Sequence, residues 1–230
     1  MKEKLKNIVF KITNNKKLSE NIIRSVSGII IILVLLVFIY SHNIFFDICF
    51  LFTIGNFMSM EWGVIVGNSE HKNKWLIIGS IYITITLLPL FILKTMPDGS
   101  NLLMWLFLLV WCTDTFAYIV GKTLNLGKHK ISSISPKKSY EGLIGGILGS
   151  IIICYLFSYK FLPEYKSLLL YFTPLFCCLE QVGDFTESYV KRKFNVKDSG
   201  DMIPGHGGFL DRFDGFLYIA ILLIYTLQFS

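Results

Sequence analysis

Two aspartates near the carboxyl end of the chain are the first residues whose spacing could do chemistry. Asp211 and Asp214 flank Arg212 and Phe213, and a helix with this spacing would project both carboxylates from one face. Converging carboxylates repel each other unless a cation lies between them, and Mg²⁺ binds one or two carboxylates together with water and phosphate oxygens. The alternative is a solvated helix end whose acids interact with the helix dipole.

A second group of charged residues lies upstream at helical spacing. Glu180, Asp184, Glu187 and Lys191 occupy positions i, i+4, i+7 and i+11 and would form one stripe along a helix. Glu180 lies within an apolar stretch, where an unpartnered ionised carboxylate is costly. The stripe therefore predicts a polar cavity that reaches into the apolar part of the protein.

A glycine-rich turn separates the two acidic groups. Gly205, Gly207 and Gly208 would let the backbone approach a ligand closely and direct N–H groups at anionic oxygens. Followed by a helix, such a turn could cradle phosphate. An ordinary loop, with His206 as an interfacial polar residue, is the alternative.

The composition shows which kind of fold must position these residues. Of 230 residues, 53% are hydrophobic and only 17% are charged, and the mean hydropathy is +0.57, whereas soluble domains carry roughly 25% charged residues. Long stretches with almost no charge, such as 25–40 and 102–121, can cross the roughly 30 Å hydrocarbon layer. A soluble domain, a disordered chain and a secreted disulfide scaffold are excluded.

Hydropathy predicts an all-α, polytopic integral membrane protein with about seven transmembrane helices, in a range of six to nine. The predicted spans are 24–41, 44–66, 75–93, 101–121, 140–159, 167–183 and 213–229. The predicted organisation is a basic cytoplasmic N-terminus over 1–23, N-terminal transmembrane helices over 24–109, and a catalytic transmembrane domain over 110–230.

Positive charges test this topology independently, because Lys and Arg are retained on the cytoplasmic side. With the N-terminus inside, 19 of the 22 Lys and Arg residues fall on that side, and only Lys94, Lys160 and Lys166 fall on the other. The polar loops 122–139 and 184–212 are then cytoplasmic. The basic residues form no stripe with interleaved aromatics, so nucleic acid is not an expected partner.

The unbroken stretch 188–214 resembles the signature of the phosphatidate cytidylyltransferase family, also called CDP-diacylglycerol synthases. Its matching parts are SYVKR, KDSG and IPGHGGFLDRFD. Two further blocks are similar to the family: DTFAY at 114–118 with SPKKSYEG at 135–142, and GDFTES at 183–188. Many relatives carry a hydroxyl residue where this chain has Gly215.

The resemblance implies that the chain joins CTP to phosphatidic acid, giving CDP-diacylglycerol and pyrophosphate, and that Mg²⁺ is required, with a second cation left open. The implied metal ligands are Asp184, Glu187, Asp211 and Asp214. The implied catalytic residues are Asp211, Asp214, Lys191 and Arg212. The implied substrate-binding residues are Lys137, Lys138, Ser139, Arg192, Lys197, Gly205, His206, Gly207 and Gly208.

Further expectations concern surroundings and partners. The resemblance and the charge distribution together imply a multi-pass protein of the bacterial inner (plasma) membrane whose active site faces the cytoplasm. Membrane lipids are expected partners, and a homodimer is left open. Asp114, inside the fourth span, is expected to support the cavity or bind a cation.

Three other functions are weighed against this one. A CTP-dependent polyprenol or phytol kinase has a similar architecture, but the unbroken 188–214 signature disfavours it. A CDP-alcohol phosphotransferase is disfavoured because its characteristic motif spacing is absent. An ion-coupled transporter would use Asp114, Glu180 and Asp184 as an ion pathway, but such proteins often contain repeated halves, and this sequence shows no internal repeat.

Overall fold

A computed structural model describes residues 2–123, 131 and 138–228 of the chain, the side chains of residues 2–19 excepted. Within these residues the fold consists of helices and their connections. The helices are α1 (Lys2–Tyr40), α2 (Ile44–Val66), α3 (Lys72–Thr95), α4 (Gly99–Thr123), α5 (Tyr140–Phe161), α6 (Lys166–Lys193), α7 (Leu210–Phe213) and α8 (Phe216–Gln228).

Local capping explains several helix ends. The Asn43 side chain accepts hydrogen bonds from the first amides of α2, at 3.0 and 3.2 Å, and the Ser139 hydroxyl accepts one from Gly142 N at 3.1 Å at the start of α5. Both residue types are favoured at this position because they satisfy amides that have no intrahelical partner. The Lys94 ammonium donates to three carbonyls at the end of α1, those of residues 38, 39 and 41.

In the part of the chain that the structure describes, six helices are long and apolar enough to cross a membrane, namely α1 from Glu20 onward and α2 to α6. The predicted all-α, polytopic membrane architecture is thus confirmed. The seventh predicted span, 213–229, corresponds to α8, which has 13 described residues and is therefore about 20 Å long. That length is less than the roughly 30 Å of the hydrocarbon layer.

The sixth predicted span differs most from the structure. It was expected to end at residue 183, but α6 continues to Lys193 and has 28 residues, or about 42 Å. The added turns hold no helix breaker, and they carry the pair Glu187 and Lys191, whose i, i+4 spacing stabilises a helix. The predicted loop 184–212 consequently begins only after α6 ends, and the acidic stripe is helical as expected.

Close packing of α2 against α3 depends on one glycine. The Trp62 indole lies over Gly79 and donates from Nε1 to the carbonyl oxygen of Trp75 at 2.7 Å, and its ring stacks on Tyr82 at a centroid distance of 5.5 Å. A Cβ atom at Gly79 would lie only 2.3 Å from Trp62 Nε1. The absent side chain therefore fixes how closely the carboxyl end of α2 approaches α3.

We expect Gly79→Ala to destabilise the fold by about 1–3 kcal/mol, because the added methyl group would force the Trp62 indole out of its site. Thermal unfolding in detergent micelles, followed by tryptophan fluorescence, measures the effect as a lower Tm. Gly63→Ala, in α2, is the matched control, since a Cβ there would meet nothing within 4 Å. Equal Tm values for the two variants would contradict this account of the α2–α3 contact.

Candidate active site

A polar cleft of about 830 Å³ opens at one end of the bundle, between α1, α4, α6 and the segment that follows α6. Of the residues that the structure describes, six acidic and four basic side chains line it. They are Asp114, Asp184, Asp198, Asp201, Asp211, Asp214, Arg24, Lys191, Lys197 and Arg212. Charge concentrated in one concave site of an otherwise apolar molecule is typical of an active or binding site.

Lys191 is the central cation of the cleft. Its ammonium nitrogen lies 3.2 Å from Glu187 Oε2 and 2.5 Å from Asp211 Oδ1. The side chain is almost fully buried, so the two carboxylates replace the water that the ammonium would otherwise bind. This ion-paired cluster joins the end of α6 to α7.

Asp211 is held by hydrogen bonds from three places in the chain. Besides the bond from Lys191, its Oδ2 atom accepts the backbone N–H groups of Ser199 and Gly208, each at 3.1 Å. Burial alone would raise the pKa of Asp211, but Lys191 and these N–H groups outweigh burial and hold the pKa below its usual value. Asp211 is therefore ionised at neutral pH.

Asp214 has the opposite environment. Burial and the negative charges of Glu187 and Asp184 raise its pKa well above the usual value. Its neighbour Glu187 is buried and in hydrogen-bond contact with the Asp214 carboxyl group, and no N–H or hydroxyl group of the described residues donates to its Oε1 atom. Two adjacent carboxyl groups, one with an unsatisfied buried oxygen, form a place where positive charge would be stabilising.

The donor set at Glu187 and Asp214 fits a divalent cation. Across the described ranges no three His, Cys, Asp or Glu side chains converge closely enough to enclose a metal ion by themselves. Mg²⁺ is usually held by one or two carboxylates, water molecules and substrate phosphates rather than by an all-protein cage. A cation at Asp211 would first have to displace Lys191, because both oxygens of that carboxylate already accept hydrogen bonds.

Asp184 faces the same cleft and has two partners of its own. The Ser188 hydroxyl donates to its Oδ1 atom at 3.1 Å, and the Lys138 ammonium forms an ion pair with Oδ2. Lys138 also lies over the Phe185 ring, 5.0 Å from its centroid. Lys138 thus brings the start of α5 to the acidic stripe of α6.

The glycine-rich turn adopts the backbone that its composition predicts. Gly205 and Gly207 have φ angles of 76° and 81°, in the left-handed region that favours glycine. Ile203 N donates to the Gly207 carbonyl at 2.9 Å, which closes the turn. The N–H group of Gly208, however, is bonded to Asp211 and is not directed at the open cleft, so only part of the predicted cradle faces a ligand.

The predicted substrate-binding residues divide into several groups. Lys197, Gly205, His206 and Gly207 line the polar cleft, as does the predicted catalytic residue Arg212. Lys138 and Ser139 line a smaller cavity of about 260 Å³ that shares Asp114 and Tyr118 with the cleft. Lys137 lies outside the described residues.

Arg192, a predicted substrate-binding residue, lies apart from the cleft. Its guanidinium donates instead to the Val196 carbonyl at 2.9 Å, across the end of α6. The physical reason is helical geometry, because a residue next to the inward-facing Lys191 points about 100° away from it. Glu180 also lies outside the cleft. It is buried, and its Oε2 atom accepts a hydrogen bond from the side-chain amide of Gln181 at 2.6 Å.

Sequence reasoning missed two residues of the first two helices that build the site. Arg24 of α1 lines the cleft, and its side chain packs against Gly205. Glu61 of α2 is buried and accepts hydrogen bonds from the Ser199 hydroxyl at 3.1 Å and from the amides of Phe209 and Leu210, each at 2.9 Å. The available signal was the position of Glu61 inside an apolar span, where an acid needs partners.

We expect Glu61→Ala to loosen the segment 199–210, because each buried donor that loses its acceptor costs about 1–3 kcal/mol. Amide hydrogen exchange should become faster at Phe209 and Leu210, and Glu61→Gln should have a smaller effect, since its amide oxygen can still accept. Glu70→Ala, an exposed position beyond the end of α2, is the matched control. Unchanged exchange in Glu61→Ala would show that the carboxylate does not hold this segment.

The sequence is similar to that of known proteins along most of its length. A sequence model described as the cytidylyltransferase family matches residues 9–230. The chain is 38% identical to a phosphatidate cytidylyltransferase of Rickettsia bellii (strain RML369-C) over 224 residues, 93% of this chain and 94% of that protein. It is 38% identical over 206 residues to one of Rickettsia typhi (strain ATCC VR-144 / Wilmington), covering 86% and 88% of the two chains.

A third relative matches over a shorter stretch. The phosphatidate cytidylyltransferase of Staphylococcus haemolyticus (strain JCSC1435) is 48% identical over 132 residues, 56% of this chain and 50% of that protein. The family match and the similarity to the Rickettsia proteins both extend along nearly the whole sequence. The chain belongs to the cytidylyltransferase family.

Proposed function

We propose that this chain transfers the cytidylyl group of CTP to phosphatidate, which forms CDP-diacylglycerol and releases pyrophosphate. The observation that carries the proposal is the convergence of Asp184, Lys191, Arg212 and Asp214 on one polar cleft at the end of an apolar bundle. A lipid phosphate and a water-soluble nucleotide can meet at such a site without the lipid leaving the bilayer. The names of the relatives agree with this reaction.

The reaction needs alignment and charge neutralisation more than a covalent catalyst. An oxygen of the phosphatidate phosphate attacks the α-phosphorus of CTP, and the bond from that phosphorus to the pyrophosphate oxygen breaks. Both reactants are anions, so Arg24, Lys197 and Arg212, which line the cleft, would reduce their repulsion and hold them in line. Phosphatidate is already ionised at neutral pH, so no strong general base is required.

The balance of charge in the cleft supports a requirement for Mg²⁺. Six acids and four bases line it, so even with Asp214 protonated the cleft has no net positive charge to offset the phosphates of CTP. Glu187 and Asp214 would hold the metal ion, with Asp184 close by, and when bound it would neutralise charge on the nucleotide phosphates. The sequence leaves open whether one or two cations bind and whether the protein is a homodimer.

The membrane orientation is part of the proposal. The cleft lies between the ends of α4 and α6 and the first membrane-crossing turns of α1, which all belong to the same end of the bundle. The predicted cytoplasmic segments carry 19 of the 22 Lys and Arg residues, and they join the helices at this end. Since CTP is cytoplasmic and the named relatives are bacterial, we place the cleft on the cytoplasmic side of the bacterial inner membrane.

Purified protein in detergent, given CTP, Mg²⁺ and dioleoyl-phosphatidate, should release pyrophosphate and form CDP-diacylglycerol, which mass spectrometry detects. Asp211→Ala and Asp214→Ala should each lower kcat/KM by about 100-fold or more, because the first removes the carboxylate that positions Lys191 and the second removes a proposed ligand of the metal ion. Both variants should still insert in the membrane.

Two outcomes would contradict the proposal. Release of CDP with a phosphorylated lipid alcohol would indicate a kinase. Near-normal activity of Asp214→Ala at saturating Mg²⁺ would overturn the metal assignment. Glu164→Ala is the control, since this exposed residue lies in the connection between α5 and α6, outside the cleft.

A further inference from the structure

An apolar groove adjoins the polar cleft on the side of α1. It is bounded by α1, α2, α4 and α7, has a volume of about 370 Å³, and is lined mainly by aliphatic and aromatic side chains. Val34, Leu35, Ile54, Phe57, Trp111 and Phe213 are representative. The volume lies within the range of small-ligand sites. None of the chemistry described above uses this groove.

The groove and the cleft meet at one side chain. Among the described residues, only Arg212 lines both. Its guanidinium donates to the His206 carbonyl from Nε at 3.1 Å and from Nη2 at 2.7 Å. Two of the five N–H donors of an arginine are thus used in holding the turn, and the geometry of the remaining ones suits a phosphate. A positive group therefore lies where an apolar channel enters a polar one.

The groove has the depth of one membrane leaflet. On α1 its lining residues Ile30 to Leu35 follow Arg24, which lines the cleft, by six to eleven residues. At 1.5 Å per residue this places the α1 wall of the groove about 9–17 Å along the helix from Arg24, a distance comparable to half of the roughly 30 Å hydrocarbon layer.

Loose packing of α1 leaves the groove open to the bilayer. Only 17% of the most apolar stretch of α1 is buried, against 33–44% in the other five long helices. Val34 is 45% exposed and Ile30 is 54% exposed. Since lipid chains are the medium that surrounds these helices, a lipid chain can move sideways into the groove without crossing a polar surface.

We infer that the groove holds one acyl chain of the phosphatidate substrate while Arg212 contacts its phosphate. This inference rests on the proposed function and adds a lipid subsite to it. An amphiphile with an anionic head and an apolar tail matches a cation at the end of an apolar channel, and binding of the tail would orient the phosphate toward the cleft. The groove then selects for chain length, whereas CTP recognition is independent of it.

Narrowing the groove tests the inference kinetically. Val34→Trp should lower the ratio of kcat/KM for dioleoyl-phosphatidate to kcat/KM for dihexanoyl-phosphatidate about tenfold, because the indole would displace methylenes of the long chain. The KM for CTP should not change. Val37→Trp is the matched control, since Val37 lies on the same helix, is 60% exposed and is not part of the groove, and it should keep the ratio of the unmodified chain.

Photolabelling of the unmodified chain tests the same subsite without relying on a variant that folds. A phosphatidate with a diazirine in its acyl chain should label peptides containing residues 30–35 and 50–57, and unlabelled dioleoyl-phosphatidate should reduce that labelling. Two results would overturn the inference: equal labelling by a phosphatidylcholine probe, and labelling that unlabelled phosphatidate does not reduce. Either result would mean that bulk lipid or a second copy of the chain occupies the groove.

The failure of this inference differs from the failure of the proposed function. If the unmodified chain forms no CDP-diacylglycerol from either phosphatidate, the proposed reaction is wrong. If it forms CDP-diacylglycerol but Val34→Trp leaves the ratio for long and short chains unchanged, only the acyl-chain subsite is wrong.

Discussion

One carboxylate, that of Asp211, connects the parts on which the candidate site depends. It accepts hydrogen bonds from the Lys191 ammonium in α6 and from the backbone N–H groups of Ser199 and Gly208 in the segment before α7. Each partner satisfies a group that would be costly to bury alone, so the end of α6, the glycine-rich turn and α7 take up one arrangement together. Glu61 of α2 holds the same arrangement from the other side, because its carboxylate accepts hydrogen bonds from the backbone N–H groups at the start of α7.

The same constraint explains the composition of the cleft. An apolar bundle tolerates ionised groups only where each finds an opposite charge, a hydrogen-bond donor or water. Lys191 and Lys138 provide such partners for Glu187, Asp211 and Asp184, but Glu187 and Asp214 together have more negative charge than the chain compensates. A cation bound beside these two carboxyl groups would compensate that charge, as the proposed function requires.

Sequence patterns predicted the elements well wherever hydropathy changed sharply. The second span was predicted over 44–66, and α2 has the same bounds. The sixth membrane span was predicted to end at residue 183, because a hydropathy window ends a span where charge begins, whereas α6 continues to Lys193 and carries the predicted acidic stripe. In the structure Lys191 forms ion pairs with Glu187, one turn earlier in α6, and with Asp211, which lies outside that helix. These ion pairs stabilise the charged end of α6 as helix.

What the sequence by itself determined was the kind of protein and the chemistry available to it. Local composition accounts for the charge-poor helices and for the acidic stripe of α6. It also accounts for the positive φ angles at positions 205 and 207, because both residues are glycine. Only the tertiary structure decided which polar groups meet. Glu61 bonds to Ser199 across 138 positions, Arg24 enters the cleft from α1, and Arg192 turns away from it although it adjoins Lys191. Such contacts depend on how helices pack across long separations, and local residue patterns carry no information on that packing.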